Sequence, residues 1–120
     1  MTIRESGEMY LETVYILSQN KKGIRSMDVA DYMNFSRPSV TRGISLLKKH
    51  GLIYSDESGL LYLTPEGEKR AETVFSRHKL LTEFLCRIGV SPDVASEDAC
   101  RMEHAISEET FIRLKEFLKK

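Results

Sequence analysis

Apolar residues along the first third of the chain are spaced like the buried face of a helix. They recur every three or four positions from Ser6 to Ser18, and the polar stretch Asn20–Gly23 ends this pattern. A second, shorter helix is predicted over Met27–Tyr32, with Ser26 as its N-cap because a serine hydroxyl can accept a backbone N–H at a helix start. Both helices are predicted to turn their apolar faces toward one core.

A third helix is predicted after Ser36, which is placed to act as its N-cap. Pro38 falls in the first turn, where its missing N–H costs nothing, and Gly51 follows the last residue, His50. The second and third helices together form a predicted helix-turn-helix. The apolar stripe of the third helix is Val40, Ile44 and Leu47, and the polar residues turned away from it are Ser39, Thr41, Arg42 and Ser45.

After Gly51 the apolar residues are spaced as in short strands. Residues 52–54 and 60–63 are β-prone runs, and the polar stretch 55–59 lies between them. Two such runs around a short polar turn predict a β-hairpin. A hairpin in this place is the wing of a winged helix-turn-helix.

The second half of the chain is predicted to be entirely helical. A long helix begins at the N-cap Thr64 and runs to Gly89, with Cys86 on its apolar, buried face. The predicted starts of two later helices are Ser91 and Ser107, and the predicted end of the last one is Lys120. The expected fold class is therefore mainly α, with a winged helix-turn-helix over residues 1–64 and an all-helical domain over residues 65–120.

The segment Cys100–His104 brings a thiol, a carboxylate and an imidazole close together. At about 3.6 residues per turn, positions i, i+3 and i+4 of a helix share one face, so Cys100, Glu103 and His104 are predicted to converge on one point. Zinc, iron and neighbouring metals are bound by these donors, and no catalytic nucleophile arrangement explains the trio as simply. The alternative for Cys100 alone is a buried cysteine that only packs.

Charge is balanced over the chain but not along it. The 120 residues include 18 Lys or Arg and 18 Asp or Glu, and no acidic residue occurs from Tyr32 to Ser55. Lysine and arginine in such a stretch can contact phosphates, and hydroxyl and guanidinium groups can read bases; the alternative is an ordinary solvated face. The candidate contacts to double-stranded DNA are Ser36, Arg37, Pro38, Ser39, Thr41, Arg42, Lys48 and Lys49.

Composition narrows the class of protein further. Hydrophobic residues make up 41% of the chain and charged residues 30%, which is typical of a globular domain. No apolar run approaches the roughly 20 residues of a membrane span, and the first residues lack the apolar core of a signal peptide. We therefore expect a cytoplasmic protein without a membrane partner, in which Cys86 and Cys100 stay thiols. No second catalytic motif accompanies the trio, so an enzyme is not expected.

The order of elements and six short motifs resemble the diphtheria toxin repressor family of metal-dependent transcription regulators. The motifs are Glu8–Leu11, Ser36–Thr41, Gly51–Ile53, Leu63–Gly67, Arg77–His78 and Asp98–His104. The resemblance covers essentially the whole chain. It implies a winged helix-turn-helix joined to a helical dimerisation domain, with the regulatory metals where the two meet. It also implies a homodimer that binds an inverted-repeat operator when loaded with metal and represses genes for metal uptake.

The resemblance implies a set of metal ligands as well. The residues that match ligands in its iron and manganese branches are Met9, Cys100, Glu103, His104, Glu12 and His78. The first four match the activating site of the iron branch one for one. Thioether and thiolate donors are soft and disfavour Mn(II), so Fe(II) is the expected metal, and Co(II), Ni(II) or Zn(II) can bind in vitro. The alternatives are a manganese-responsive member and a metal-independent winged-helix regulator with Cys100 as a redox-sensing thiol.

The chain departs from the family at a second metal site and at its end. Where the iron branch has a glutamate and a histidine in its ancillary site, this chain has Thr82 and Ser96. An ancillary metal is therefore not expected. The sequence ends at Lys120, before the SH3-like third domain of the longer iron regulators, so we expect either a compact member or a shortened chain.

Overall fold

The computed structural model describes residues 5–119, and their fold is mainly helical. The helices are α1 Glu5–Asn20, α2 Ser26–Met33, α3 Arg37–Lys49, α4 Pro65–Arg87, α5 Pro92–Met102 and α6 Glu108–Leu118, and the strands are β1 Ile53–Ser55 and β2 Leu61–Leu63. The predicted fold class, a winged helix-turn-helix followed by helices, is confirmed. The predicted helix end at Lys120 lies outside the described residues. Within residues 5–119, no helix is long and apolar enough to cross a membrane.

The chain divides into two compact units, and the division falls inside α4. The first unit ends at Glu72 and the second begins at Thr73. This division separates two compact units of the fold. The predicted boundary between residues 64 and 65 instead separates the winged helix-turn-helix from the all-helical domain. That boundary stays a prediction.

The core of the first unit brings α1 and α3 unusually close. Gly43 of α3 faces the Tyr10 ring of α1, and a Cβ atom at position 43 would overlap that ring. The Tyr10 hydroxyl donates a hydrogen bond to the Ser39 carbonyl of α3 at 3.1 Å. The Tyr10 ring also meets the Phe35 ring edge to face, with centroids 6.0 Å apart. Tyr10 therefore joins α1 both to α3 and to the turn that precedes α3.

The helix starts confirm most of the predicted caps, but the prediction for Ser26 is wrong. Helix α2 begins at Ser26, and Arg25 precedes it as the N-cap. The Arg25 N–H donates to Asp28 Oδ2 at 2.8 Å, so Asp28 satisfies this helix start instead. The cap at Ser36 is confirmed, because its Oγ accepts the Ser39 N–H at 3.4 Å. Thr64 and Ser107 cap α4 and α6 in the same way.

The wing is a two-stranded antiparallel hairpin, as predicted. Ile53 pairs with Leu63 and Ser55 pairs with Leu61. Ile24 joins the edge of this hairpin, because its N–H donates to the Leu61 carbonyl at 3.4 Å and its carbonyl accepts the Leu61 N–H at 2.7 Å. The wing is thus tied to the loop between α1 and α2.

Asp56 organises the turn of the wing. Its Oδ1 accepts the N–H groups of Ser58 and Leu60, both at 2.9 Å, and its Oδ2 accepts the Tyr62 hydroxyl at 3.1 Å. These bonds, led by the one from Leu60, hold the pKa of Asp56 below its ordinary value. The turn therefore favours the ionised carboxylate.

Replacing Asp56 with alanine is expected to loosen the wing, because the N–H groups of Ser58 and Leu60 lose their acceptor. The folded-state pKa lies below the ordinary value of about 3.9, so the contribution of Asp56 is present above that pH and is lost as pH falls through the lower folded-state pKa. Amide hydrogen exchange at Leu60, corrected for its intrinsic rate, measures this. We expect faster exchange in the variant at pH 7, and equal protection in both proteins there would contradict the assignment.

Cys86 is exposed on α4, so the prediction that it lies in the core is wrong. The buried face of this part of α4 passes through Leu81 and Leu85, four residues apart. Cys86 is one position beyond Leu85, which rotates it about 100° around the helix. Cys86 and Cys100 are not joined by a disulfide bond.

Candidate metal centre and DNA-binding helix

Three side chains whose donor atoms could hold a metal ion converge in the second unit. His78 of α4, Cys100 of α5 and Glu103, which follows α5, each place one donor atom within 4.8 Å of the other two. The His78 Nδ1 atom is 3.1 Å from Glu103 Oε2. Two elements that are distant in sequence therefore supply a nitrogen, a sulfur and an oxygen donor to one small volume.

The Glu103 carboxylate lies at the centre of this group. Only 1% of the residue is exposed, and its second oxygen, Oε1, is 3.2 Å from His104 Nε2. The carboxylate thus has an imidazole nitrogen against each oxygen. Because burial of a carboxylate is costly without compensating charge or hydrogen bonds, such an arrangement is suited to a bound cation.

The donor set fits a transition metal in chemistry and in spacing. Nitrogen, oxygen and sulfur ligands bind zinc tetrahedrally at about 2.0–2.3 Å, so two ligands of one ion lie about 3.3–3.8 Å apart. The donor atoms of His78, Cys100 and Glu103 lie within 4.8 Å of one another, so a bound ion would draw the wider pairs together by up to about 1 Å. A mixture of thiolate, imidazole and carboxylate suits iron, cobalt, nickel and zinc.

The end of α5 changes how the local motif reaches the site. The helix ends at Met102, and Glu103 is its C-cap, with φ −60° and ψ −25° and an N–H bonded to the Ala99 carbonyl at 2.9 Å. Glu103 therefore continues the helical path of Cys100. His104 lies in the turn beyond, so the prediction that all three share one helix face is wrong for His104. His104 instead contacts the far oxygen of Glu103.

The remaining predicted ligands, Met9 and Glu12, lie on α1 in the first unit. Glu12 is buried, with 6% of its surface exposed, and Met9 is half-buried. A buried carboxylate differs from the solvated charge that an isolated glutamate usually is. Their part in metal binding stays a prediction.

Helix α3 has one buried and one exposed face, as the apolar stripe predicted. Val40, Ile44 and Leu47 are buried. The candidate DNA contacts lie on the opposite side and at the two ends, where Ser39 is half-buried and the exposed residues are Ser36, Arg37, Pro38, Thr41, Arg42, Lys48 and Lys49. The helix therefore presents hydroxyl and cationic groups to solvent from its first turn to its last.

The polar groups of the first turn of α3 are connected. The Ser36 hydroxyl donates to Ser39 Oγ at 3.0 Å, and Arg42 Nη2 donates to the same oxygen at 3.4 Å. A guanidinium has five N–H donors, so this contact uses a small part of the capacity of Arg42. Arg42 is thereby oriented along the exposed face.

The wing, which follows α3 in sequence, carries the two carboxylates Asp56 and Glu57. Because carboxylates repel phosphates, the wing is a less suitable phosphate contact than Lys48 and Lys49.

Both halves of the chain match known domain families. Residues 2–60 match the N-terminal DNA-binding domain of iron-dependent repressors, and residues 64–120 match their metal-binding and dimerisation domain. The chain belongs to the iron-dependent repressor family. This confirms the resemblance to the diphtheria toxin repressor and places the chain among metal-dependent transcriptional repressors.

Individual relatives of this repressor agree with the family assignment. The transcriptional regulator MntR of Escherichia coli is 36% identical over 117 residues, which cover 98% of this chain and 76% of MntR. The diphtheria toxin repressor of Corynebacterium glutamicum is 31% identical over 115 residues, which cover 95% of this chain and 50% of that protein. The solved structure of the manganese regulator SloR matches with a TM-score of 0.86 at 29% identity, over 99% of this chain and 55% of SloR. This chain spans about half the length of the latter two proteins.

One residue beside the candidate metal centre of this repressor was not predicted from the sequence to be functional. Arg77 of α4 donates from Nη1 to the Glu103 carbonyl at 3.3 Å and to the Ile106 carbonyl at 2.9 Å. Its position beside His78 was the available signal. Thr82 has no carboxylate to offer an ancillary metal, and its hydroxyl donates to the His78 carbonyl at 2.8 Å.

Proposed function

We propose that this chain represses genes for metal uptake by binding operator DNA as a homodimer when Fe(II), or a similar divalent metal, is bound at His78, Cys100 and Glu103. The observation that carries the proposal is the convergence of these donors within 4.8 Å, in a chain whose other unit presents a basic, solvent-facing α3. A regulator of this kind acts in the cytoplasm and is not an enzyme.

The proposed ligands are supported by two kinds of observation. His78, Cys100 and Glu103 are proposed because their donor atoms lie close together, and His104 is proposed because it contacts the Glu103 carboxylate. Met9 and Glu12 rest on the match to ligand positions of the family. The bound metal would supply positive charge that balances the buried carboxylate. Since metal that binds one conformation shifts the population toward it, occupancy can select the DNA-binding form.

Fe(II) is proposed over Mn(II) because of the sulfur donor. A Cys100 thiolate is a soft ligand, whereas Mn(II) prefers carboxylate and other oxygen ligands. Manganese is the second candidate, and it is supported by the 36% identity to MntR and by the match to the manganese regulator SloR. His78 and Glu103 suit either metal, so Cys100 is the residue that separates the two candidates.

The proposed DNA contacts follow from the groups on the exposed face of α3. Arg42 can bind guanine through two hydrogen bonds, and Pro38 can touch a thymine methyl group. The hydroxyls of Ser36, Ser39 and Thr41 are proposed to contact phosphates or base edges. Arg37, Lys48 and Lys49 are proposed to contact phosphates. A homodimer would present two such helices about 34 Å apart and read an inverted repeat.

The proposed function is tested by fluorescence anisotropy on a palindromic operator obtained by selection. Fe(II) and Mn(II) are titrated separately without oxygen, with a chelator as the reversal step. We expect Fe(II) to activate binding at a lower concentration than Mn(II). Activation by Mn(II) at the lower concentration would favour the manganese alternative. Binding that ignores both metals and the chelator would overturn the metal proposal and favour the thiol sensor.

The same assay with Cys100→Ala tests the sulfur ligand. Loss of a metal ligand should weaken activation by Fe(II) by more than about tenfold, since even changes outside the ligand shell cost about 10–100-fold. Cys86→Ala is the matched control, because Cys86 is an exposed thiol outside the donor cluster. Equal Fe(II) activation in Cys100→Ala and Cys86→Ala would remove Cys100 from the site.

A further inference from the structure

We infer that Arg77 is a positioning residue of the metal centre, an inference that rests on the proposed function. Arg77 binds the main chain of the segment Glu103–Ile106, which carries the carboxylate and the second imidazole. Arg77 lies on α4 immediately before His78, which supplies the first imidazole. One side chain thus fixes the distance between the two parts of the chain that supply the donors.

The hydrogen bonds of Arg77 fall on both sides of His104. Nη1 reaches the carbonyls of Glu103 at 3.3 Å and Ile106 at 2.9 Å. The segment itself is a tight turn, because the N–H groups of Ala105 and Ile106 both donate to the Met102 carbonyl. Carbonyls at a helix C-terminus lack partners within the helix and carry partial negative charge, so a guanidinium stabilises them there.

A second contact fixes the guanidinium itself. It lies over the Phe111 ring of α6, with Cζ 5.5 Å from the ring centroid. Phe111 belongs to the helix that begins just after the turn Glu103–Ile106, which we call the donor turn. The guanidinium therefore has partners at both ends of the turn and in α6, and it cannot rotate without losing one of them. A lysine ammonium, which is a point charge without a planar fork, would reproduce the charge of Arg77 but not this geometry.

Positioning and charge predict opposite effects for the loss of Arg77. A guanidinium close to a bound cation repels it, so removal of the charge alone would strengthen metal binding. Removal of the two hydrogen bonds would instead let Glu103 and His104 move away from His78 and weaken metal binding. The direction of the change in affinity therefore distinguishes the two roles.

The test uses the full chain and Co(II) as a spectroscopic probe, with affinity measured by competition against a chelator. Arg77→Met keeps an unbranched apolar side chain at this position and removes both hydrogen bonds. We expect Co(II) to bind about 10–100-fold more weakly, as is typical when a group supporting metal ligands is removed. We also expect a change in the cobalt d–d and sulfur-to-cobalt absorption bands, which a purely structural role would leave unchanged.

Arg87→Met is the matched control for this variant. Arg87 also lies on α4 and also donates from Nη1 to a carbonyl near a helix end, that of Leu118 at 3.2 Å. Since Leu118 is outside the donor turn, we expect Arg87→Met to bind Co(II) with wild-type affinity and wild-type absorption bands. Arg77→Lys provides a second, milder variant, and its affinity should lie between those of wild type and Arg77→Met.

Three results would count against the inference. Wild-type or tighter Co(II) binding by Arg77→Met would overturn it, and if that variant does not fold, wild-type binding by Arg77→Lys would do so. An equal loss of affinity in Arg87→Met would also overturn it. His78→Ala separates this failure from failure of the proposed function. If His78→Ala binds Co(II) like wild type, or wild type binds none, the metal centre itself is wrong and Arg77 has nothing to position.

Discussion

Replacing Glu103 with glutamine is expected to abolish the stabilisation of the protein by divalent metal. At a metal concentration a hundredfold above Kd, binding adds about 2.7 kcal/mol to the free energy of unfolding. For a domain of this size that raises Tm by about 10 °C. Glutamine keeps the volume of Glu103 but removes the charge that lies between His78 and His104. The metal-dependent rise in Tm should therefore disappear from the variant.

The metal-free Glu103→Gln protein should unfold within a few degrees of the metal-free wild type. An amide costs less to bury than a carboxylate, and this offsets the altered contacts with the two imidazoles. Thermal unfolding of both proteins with metal and with chelator measures both effects. Glu97→Gln, an exposed change on α5, is the control and should respond to metal like wild type. A full metal-dependent rise in Glu103→Gln would exclude Glu103 from the site.

Replacing Gly67 with alanine is expected to lower the free energy of unfolding by about 2–3 kcal/mol, because overpacking against a fixed group costs this much. Gly67 lies in the first turn of α4, and a Cβ atom there would overlap the backbone carbonyl of Leu52. That carbonyl cannot move away at no cost. It accepts the Thr64 N–H at 3.0 Å and the Thr64 hydroxyl at 3.1 Å, and these bonds tie α4 to the strand region.

Chemical denaturation of Gly67→Ala and Gly51→Ala separates overlap from backbone strain. Gly51 has φ +72°, and a Cβ atom there would meet no neighbouring atom within 4 Å. Gly51→Ala should therefore cost only the strain of a left-handed residue, about 1 kcal/mol. A Gly67→Ala protein as stable as wild type would show that the start of α4 can shift freely relative to Leu52.

The helices and the wing were predictable because their signals are local. The apolar stripe and the cap at Ser36 define α3 within a few residues. The start of α2 was not predictable in the same way, since Ser26 and Asp28 are both able to cap a helix. Pairing with Leu61 holds Ile24 in the edge of the wing, so the helix begins directly after Arg25. That pairing is a contact between residues distant in sequence, and no local pattern reveals it.

The candidate metal centre was predictable in part for the same reason. Cys100 and Glu103 lie three positions apart, and helical spacing was enough to bring them together. The spacing argument failed for His104 because α5 ends at Met102, and no glycine or proline marks this end. His78 came only from the family resemblance. The bonds of Arg77 to the turn join residues more than 25 positions apart, which periodicity does not detect.

The close contact between Tyr10 and Gly43 packs α1 tightly against α3, so we expect the two helices to move together. The ring fills the space that a side chain at position 43 would need, and the hydroxyl holds the Ser39 carbonyl. A displacement of α1 is therefore transmitted to the helix that presents Arg42. Position 43 is among neither the proposed metal ligands nor the proposed DNA contacts. A substitution there would therefore change the regulator during evolution without changing either set of contacts. A larger side chain at position 43 would alter how strongly the movement of α1 is coupled to that of α3.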